Sequence, residues 1–504
     1  MNLRLLHDLL KYSPGLALPI LFSAGSMAIF ARLASPTELG TYLLIFATTS
    51  SLSTPISLVL TQPIVRLVPA YVRDGRQGEL LHAYFWLGLG FGALGAIVVM
   101  AVLALGFDGA YARADYLLPA MVMSFFGISS GGQVSVLEAT FAAGRWSLFA
   151  TATGFLRLTL PLLLFPLVGP VHALLWGSAA AVVAIWIFRD RQQRREIPMQ
   201  PVSLREVRRM WSESLSFGLP FALTGIGDQV LAFSDRYIIA AVLGVAAVGL
   251  YSTNYSIAEK LLIMVQAPLI YAATPRVMSH WENDAHEDAV RLIRTAMRWL
   301  MLLGVPVVAF TLVRSRLLST FVLGEQYADA HWVIPIVTAA ILTWAASQYG
   351  HVSFQLAKRS WIIAVALASA ALANVVSVLV LTTTVGYIGG AIGTAVGYAV
   401  YAIVIYVASR LTGPLPWRLP WSTLLHTSIG AAAAAAVWAT LVPQQLYGLG
   451  DALICVIGGS AGLAIYGLLL LAFREVVIPV KADSSRGRLL TSLTRIMGAI
   501  RVSD

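Results

Sequence analysis

The sequence predicts an all-α integral membrane protein with about fourteen transmembrane helices and both chain ends in the cytoplasm. Three observations carry this. Hydrophobic residues make up 58% of the 504, only 12% are charged, and the mean hydropathy is +0.79. A soluble protein of this length would need far more charge to cover its surface. The apolar runs are nearly continuous and of helical length, where a membrane barrel would show short alternating segments. The basic residues gather on alternate loops.

Met1–Lys11 carries Leu3, Leu6 and Leu10 on one side and Arg4, His7, Asp8 and Lys11 opposite. That pattern predicts an interfacial helix leading into the first span rather than a cleaved signal. Apolar runs follow at 14–33, 39–68, 81–107, 116–141, 147–168 and 171–188. Together they form an N-terminal lobe, 1–188. The stretch 189–212 contains RDRQQRRE and REVRR and reads as a basic cytoplasmic linker. Six more runs, 215–243, 248–275, 289–321, 331–356, 361–385 and 388–409, form a C-terminal lobe, 213–412. Two extra helices, 423–442 and 452–473, lie in 413–474. The tail, 475–504, sets Arg486, Arg488, Arg495 and Arg501 against Leu489, Leu493, Ile496 and Ile500. It reads as an amphipathic helix for anionic inner-leaflet lipid.

Orientation follows from charge. Arg4, Lys11, Arg73, Arg76, Arg145, the 189–209 cluster, Arg276, Arg291, Arg294, Lys358, Arg359, Arg410 and Arg418 fall on one side. The other side has Arg32, Arg113, Arg314 and Arg316. The positive-inside rule makes the first side cytoplasmic and requires an even number of spans. The net charge of +10 is therefore a consequence of topology and does not point to nucleic acid. The single cysteine, Cys455, excludes a disulfide framework and a cysteine-based metal site, and the eight histidines lack metal-ligand spacing. No cofactor is expected beyond a coupling H⁺ or Na⁺.

The two halves repeat. RLASPTELGTY (Arg32–Tyr42) and VLGVAAVGLY (Val242–Tyr251) each give a small turn and then Gly-x-Tyr opening a span. FAAGRW (Phe141–Trp146) and QLAKRSW (Gln355–Trp361) precede the fifth and eleventh runs. LVGPVHALLWG (Leu167–Gly177) lines up with TVGYIGGAIGTAVG (Thr384–Gly397). Tyr42 to Tyr251, Arg145 to Arg359 and Gly169 to Gly386 share nearly one offset. Two parallel six-helix repeats imply two lobes about an axis along the membrane normal, with a central path opened alternately to each side.

In this order the motifs resemble the multidrug/oligosaccharidyl-lipid/polysaccharide (MOP) flippase superfamily over nearly the whole chain. The resemblance rests on Pro36, Glu38, Gly40 and Tyr42, on Asp235–Arg236 followed by Gly249–Tyr251, and on the turns at Arg145 and Arg359. Within the superfamily it looks most like the Wzx-type flippases of polysaccharide biosynthesis. The resemblance implies a V-shaped bundle in the bacterial inner membrane. It implies transfer of an undecaprenyl-pyrophosphate-linked oligosaccharide to the outer leaflet, for exopolysaccharide, capsule or O-antigen synthesis. Membrane lipids, a polysaccharide polymerase and chain-length proteins are the implied partners.

Two rivals share that plan. A lipid II flippase would be expected to carry an adjacent Arg-Asp pair early in the first span, and a cation-coupled multidrug exporter a carboxylate there; 13–35 holds neither. A membrane-embedded polymerase needs acid and base groups on an outer loop. The acidic clusters DGAYARAD (Asp108–Asp115) and EQYAD (Glu325–Asp329) have no partner readable from sequence, so no enzyme is expected.

Arginine suits the pyrophosphate, because its planar fork matches phosphate and stays charged when desolvated. Arg66, Arg157, Arg236 and Lys260 lie inside apolar runs, with Arg32 at a run's end, and are candidates for a cationic lumen. Each has a plainer reading. Arg66 and Lys260 would snorkel to a membrane face if Pro63 and Pro69 ended the second span early. Arg236 would pair with a neighbouring carboxylate, and Arg32 would only anchor its lobe. Glu138, Asp228, Asp235 and Glu259 are candidates for ion coupling, Asp235 first, or for pairing with Arg236 and Lys260. Gln62, Gln229, Tyr251, Asn254, Tyr255 and His351 are the polar and aromatic residues placed along the cavity.

Overall fold

The computed structural model describes residues 3–106, 109, 111–139, 143–412, 417–445, 449–477 and 501–502. Among the described residues are fourteen helices: α1 (Leu3–Leu33), α2 (Pro36–Arg73), α3 (Gln77–Leu105), α4 (Ala114–Ala139), α5 (Ala143–Val168), α6 (Pro170–Glu196), α7 (Leu204–Leu243), α8 (Val245–Glu282), α9 (His286–Val322), α10 (Val333–Leu356), α11 (Ser360–Val385), α12 (Tyr387–Thr412), α13 (Trp421–Leu441) and α14 (Leu449–Ala472). Twelve are long and apolar enough to cross a membrane, and α1 adds the shorter apolar stretch Ala17–Leu33. The chain is all-α and multi-pass, apart from a two-residue antiparallel pairing of Val476–Val477 with Arg501–Val502. The expected tail helix lies outside the described residues at 478–500.

Several boundaries differ from the sequence expectation. α1 is continuous from Leu3, so the interfacial stretch and the first span are one helix. α2 runs through Pro55, Pro63 and Pro69 to Arg73, so those prolines do not end it. Each removes one backbone donor, a loss that membrane helices tolerate when neighbours take up the freed carbonyls. Its start is set by a capping box. Ser35 Oγ accepts from the Glu38 backbone N–H at 3.3 Å, and Glu38 Oε2 accepts from the Ser35 backbone N–H at 2.8 Å. Glu38 is thus a helix cap. Between α6 and α7 only 197–203 is non-helical. RDRQQRRE belongs to the end of α6, where Arg194 pairs with Asp190 at 2.7 Å, and REVRR opens α7 behind the Ser203 cap.

The chain forms two compact units. One comprises Leu10–Ser256 and Ala364–Val400. In it α2 packs along α7 and α4, α3 lies on α4, and α6 lies on α4 and α5. Leu60, Ile64, Tyr84, Phe91, Ile128 and Met210 are among its core residues. The aligned Gly169 and Gly386 both hold positive φ, 76° and 69°, directly ahead of α6 and α12. That left-handed turn suits glycine in each copy.

The other unit comprises Met1–Leu9, Ile257–Ile363 and Tyr401–Asp504. In it α9 packs on α10 and α13, and α13 on α14. Trp438 and Tyr466 are buried in its core. A buried carboxylate, Glu475, follows α14. It accepts from Arg298 Nη2 at 2.8 Å and Thr423 Oγ1 at 2.9 Å, and lies 2.8 Å from His426 Nδ1.

Candidate functional site

α7 and α8 meet at Gly244 alone, and Gly249 lies inside α8. The first unit's polar centre is built on these helices. Asp235 on α7 is 1% exposed. Its Oδ2 accepts from the Tyr251 hydroxyl at 2.5 Å and from Thr394 Oγ1 at 3.3 Å. Its Oδ1 accepts from the Arg236 backbone N–H at 2.8 Å and from Arg236 Nη1 at 3.0 Å. Arg236 also donates to the Ala232 carbonyl at 2.5 Å. Its guanidinium lies over the rings of Phe233 and Tyr255, at 4.9 and 4.7 Å. Burying either charge alone would be costly, and here each meets its opposite and a set of hydrogen bonds. Asn254 is fully buried and donates to the Leu250 carbonyl at 2.9 Å.

Two residues that the sequence did not single out complete this centre. Asn374 on α11 is fully buried, accepts from Ser234 Oγ at 2.7 Å, and leaves Nδ2 without a partner among the described residues. Thr394 on α12 reaches Asp235. A lone amide in the apolar run 361–385 was the available signal for Asn374. Thr394 gave none, because a hydroxyl in a membrane helix usually bonds its own backbone, and this one also does so, at Gly390.

The same unit holds charges of a different kind. Arg157 on α5 and Asp228 on α7 are solvent-accessible although protein crowds around them. Neither has a hydrogen bond or ion pair among the described residues. Arg66 is exposed over the Phe217 ring at 5.1 Å. Gln62 is half-buried, one turn before it. Gln229 is half-buried with Oε1 unpartnered. Arg32 is exposed in the last turn of α1. The Glu138 side chain lies outside the described residues.

The sequence profile of a polysaccharide biosynthesis protein family matches residues 29–331, more than half of the chain. The chain belongs to the polysaccharide biosynthesis protein family. The matched region contains both Gly-x-Tyr motifs, the Asp235–Arg236 pair, Arg66, Arg157 and Asp228. No curated protein matches the chain. Among solved structures it is similar to the lipid II flippase MurJ in an inward closed conformation, with a TM-score of 0.72 at 11% identity, over 92% of this chain and 98% of that one. It is similar to a multidrug resistance MATE family transporter of the MOP superfamily, outward-facing, with a TM-score of 0.61 at 16% identity over 81% and 94%. It is also similar to a MOP superfamily transporter from Pyrococcus furiosus, with a TM-score of 0.61 at 17% identity over 81% and 94%. At such identities the likeness is one of fold alone.

In this polysaccharide biosynthesis protein the remaining predicted residues fall in the other unit. Glu259 and Lys260 are half-buried neighbours on α8. His351 on α10 is half-buried with Nδ1 2.7 Å from the Tyr401 hydroxyl, and the Trp344 ring lies tilted against Tyr401 at 4.5 Å. The family member thus divides its intramembrane charge in two. Asp235 and Arg236 are paired and buried inside protein, while Arg157 and Asp228 are exposed with no ion pair among the described residues. A membrane protein keeps an unpaired charge at such depth only where something polar reaches it.

Proposed function

We propose that this protein is a flippase carrying an undecaprenyl-pyrophosphate-linked oligosaccharide from the inner to the outer leaflet of the bacterial inner membrane by alternating access. Family membership and fold support a transport protein rather than an enzyme. The observation that carries the reading is the accessible, unpartnered Arg157 inside a membrane helix. A pyrophosphate crossing hydrocarbon needs a cation that stays charged without water, and a guanidinium does so.

Arg157 is the first contact for the diphosphate, with Arg66 and Arg32 as further cations of the same unit. Arg236 joins them when its pair with Asp235 opens, and Lys260 is a separate candidate cation of the other unit. Gln62, Gln229 and His351 serve the sugar hydroxyls, and Tyr251, Asn254 and Tyr255, buried around Asp235 and Arg236, do so only when that pair opens. Asp228 is the better coupling carboxylate. Four donors already converge on Asp235, whereas Asp228 is open to H⁺ or Na⁺.

The test is the leaflet in which the lipid-linked repeat unit accumulates in cells lacking the gene. Accumulation on the cytoplasmic leaflet, cured by the native chain and not by Arg157→Ala, supports the proposal. Repeat units already on the outer leaflet but unpolymerised would sink it and favour a polymerase. A lipid II flippase is the second reading, favoured by the MurJ-like fold, and would show as lipid II accumulation. Altered sensitivity to cationic drugs with unchanged glycolipids would point to an exporter.

A further inference from the structure

The Ile257–Ile363 and Tyr401–Asp504 unit carries a recess of about 390 Å³, counting the space open to solvent. Ile293, Arg294 and Met297 of α9, Tyr349 of α10, and Trp417 and Arg418 ahead of α13 line it. It therefore lies at the end that the basic residues mark as cytoplasmic. Along α9, Arg291 has Asp288 at 3.7 Å and Arg298 has Glu475 at 2.8 Å. Arg294, between them, has no carboxylate or hydrogen-bond partner among the described residues, and neither has Arg418. Both are exposed.

Tyr349 is 6% exposed, and its buried hydroxyl has no partner. The Trp417 indole N–H is engaged by Met297 Sδ at 3.2 Å, and its ring packs on Gly350. The recess thus has an apolar floor, two free guanidinium forks and one unsatisfied hydroxyl. It offers hydrogen-bond donors and no carboxylate, at the end that the basic residues mark as cytoplasmic.

We propose that this recess binds the phosphate group of an anionic phospholipid of the cytoplasmic leaflet. The proposal does not rest on the flippase reading. Arg294 and Arg418 would grip the phosphate oxygens, Tyr349 would donate to one of them, and the acyl chains would lie along Ile293 and Val290.

The experiment is a titration of the detergent-solubilised full chain with fluorescent phosphatidylglycerol. Arg294→Ala/Arg418→Ala should weaken binding by about tenfold, and Tyr349→Phe by about threefold, as loss of charge-assisted and neutral donors implies. Arg294→Lys/Arg418→Lys, which keeps charge and loses the fork, should fall between native and double-alanine chains. Arg205→Ala/Arg208→Ala, on the exposed start of α7, should bind as the native chain does. Thermal melting in the same detergent checks that each variant is folded. Unlabelled phosphatidylglycerol should displace the probe, and millimolar inorganic phosphate should not. Equal loss in the α7 control, no loss in a folded double-alanine variant, or displacement by inorganic phosphate would overturn the assignment. So would tighter displacement by farnesyl pyrophosphate, which would give the site to the transported lipid.

Discussion

Gly40 and Gly249 make reciprocal contacts. Gly40 lies against the backbone of Val245 at the start of α8, and Gly249 lies against the backbone of Pro36 at the start of α2. Pro36 stands to Gly40 as Val245 stands to Gly249, and both pairs share the offset of the Gly-x-Tyr repeat. The motif that marks the repeat in sequence is therefore where the two copies touch. A methyl group on either glycine would overlap a carbonyl oxygen, which is hard to relieve.

Gly40→Ala and Gly249→Ala should each destabilise by about 1–3 kcal/mol. The check is a melting temperature in detergent, beside Gly127→Ala. Gly127 sits in α4 with open space where a Cβ would go, and alanine there should be neutral or stabilising by about 0.5–1 kcal/mol.

The Asp235–Arg236 pair should behave as a coupled unit. Asp235→Asn leaves Arg236 buried beside a neutral amide and should cost about 3–5 kcal/mol. Arg236→Ala strands the carboxylate at a similar cost. The double variant Asp235→Asn/Arg236→Met should recover much of the loss, and a double-mutant cycle on thermal stability reads the coupling. Tyr251→Phe removes one of four donors to Asp235 and should cost about 1–2 kcal/mol.

Glu475 gives the pH dependence of its unit. Burial pushes its pKa up, but hydrogen bonds from Arg298, His426 and Thr423 outweigh this and hold it below the usual carboxylate range. A depressed folded value contributes stability that is present above the unfolded pKa and is lost as pH falls through the folded one. Melting temperature should therefore drop on acidification below the ordinary carboxylate range. Glu475→Gln should be less stable at neutral pH and should show a flatter acid limb.

Much of the fold was legible because membrane helices carry their signal in composition. The apolar runs appear as helices, the repeat landmarks at Gly169 and Gly386 stand directly ahead of α6 and α12, and the two Gly-x-Tyr motifs fall in the second turns of α2 and α8. The boundaries were less legible. α2 continues through three prolines, and the basic stretch after α6 is mostly helix, because local pairs such as Asp190–Arg194 support helix beyond the apolar run. The site was half legible. Charged residues announce themselves in an apolar chain, but sequence does not tell a paired charge from an open one. Arg236 and Arg157 look alike there, and only packing separates the neutralised residue from the accessible one.

The most direct test of the account is whether Arg157 and Asp228 face an aqueous path. Arg157→Cys and Asp228→Cys, each in a Cys455→Ala background, would be treated with a membrane-impermeant thiol reagent. Leu163→Cys, an exposed apolar position on α5, serves as the lipid-facing control. The account predicts labelling at 157 and 228, slowed by added lipid-linked oligosaccharide, and little at 163. Labelling at 157 and 228 no faster than at 163, or unaffected by the lipid-linked oligosaccharide, would contradict it.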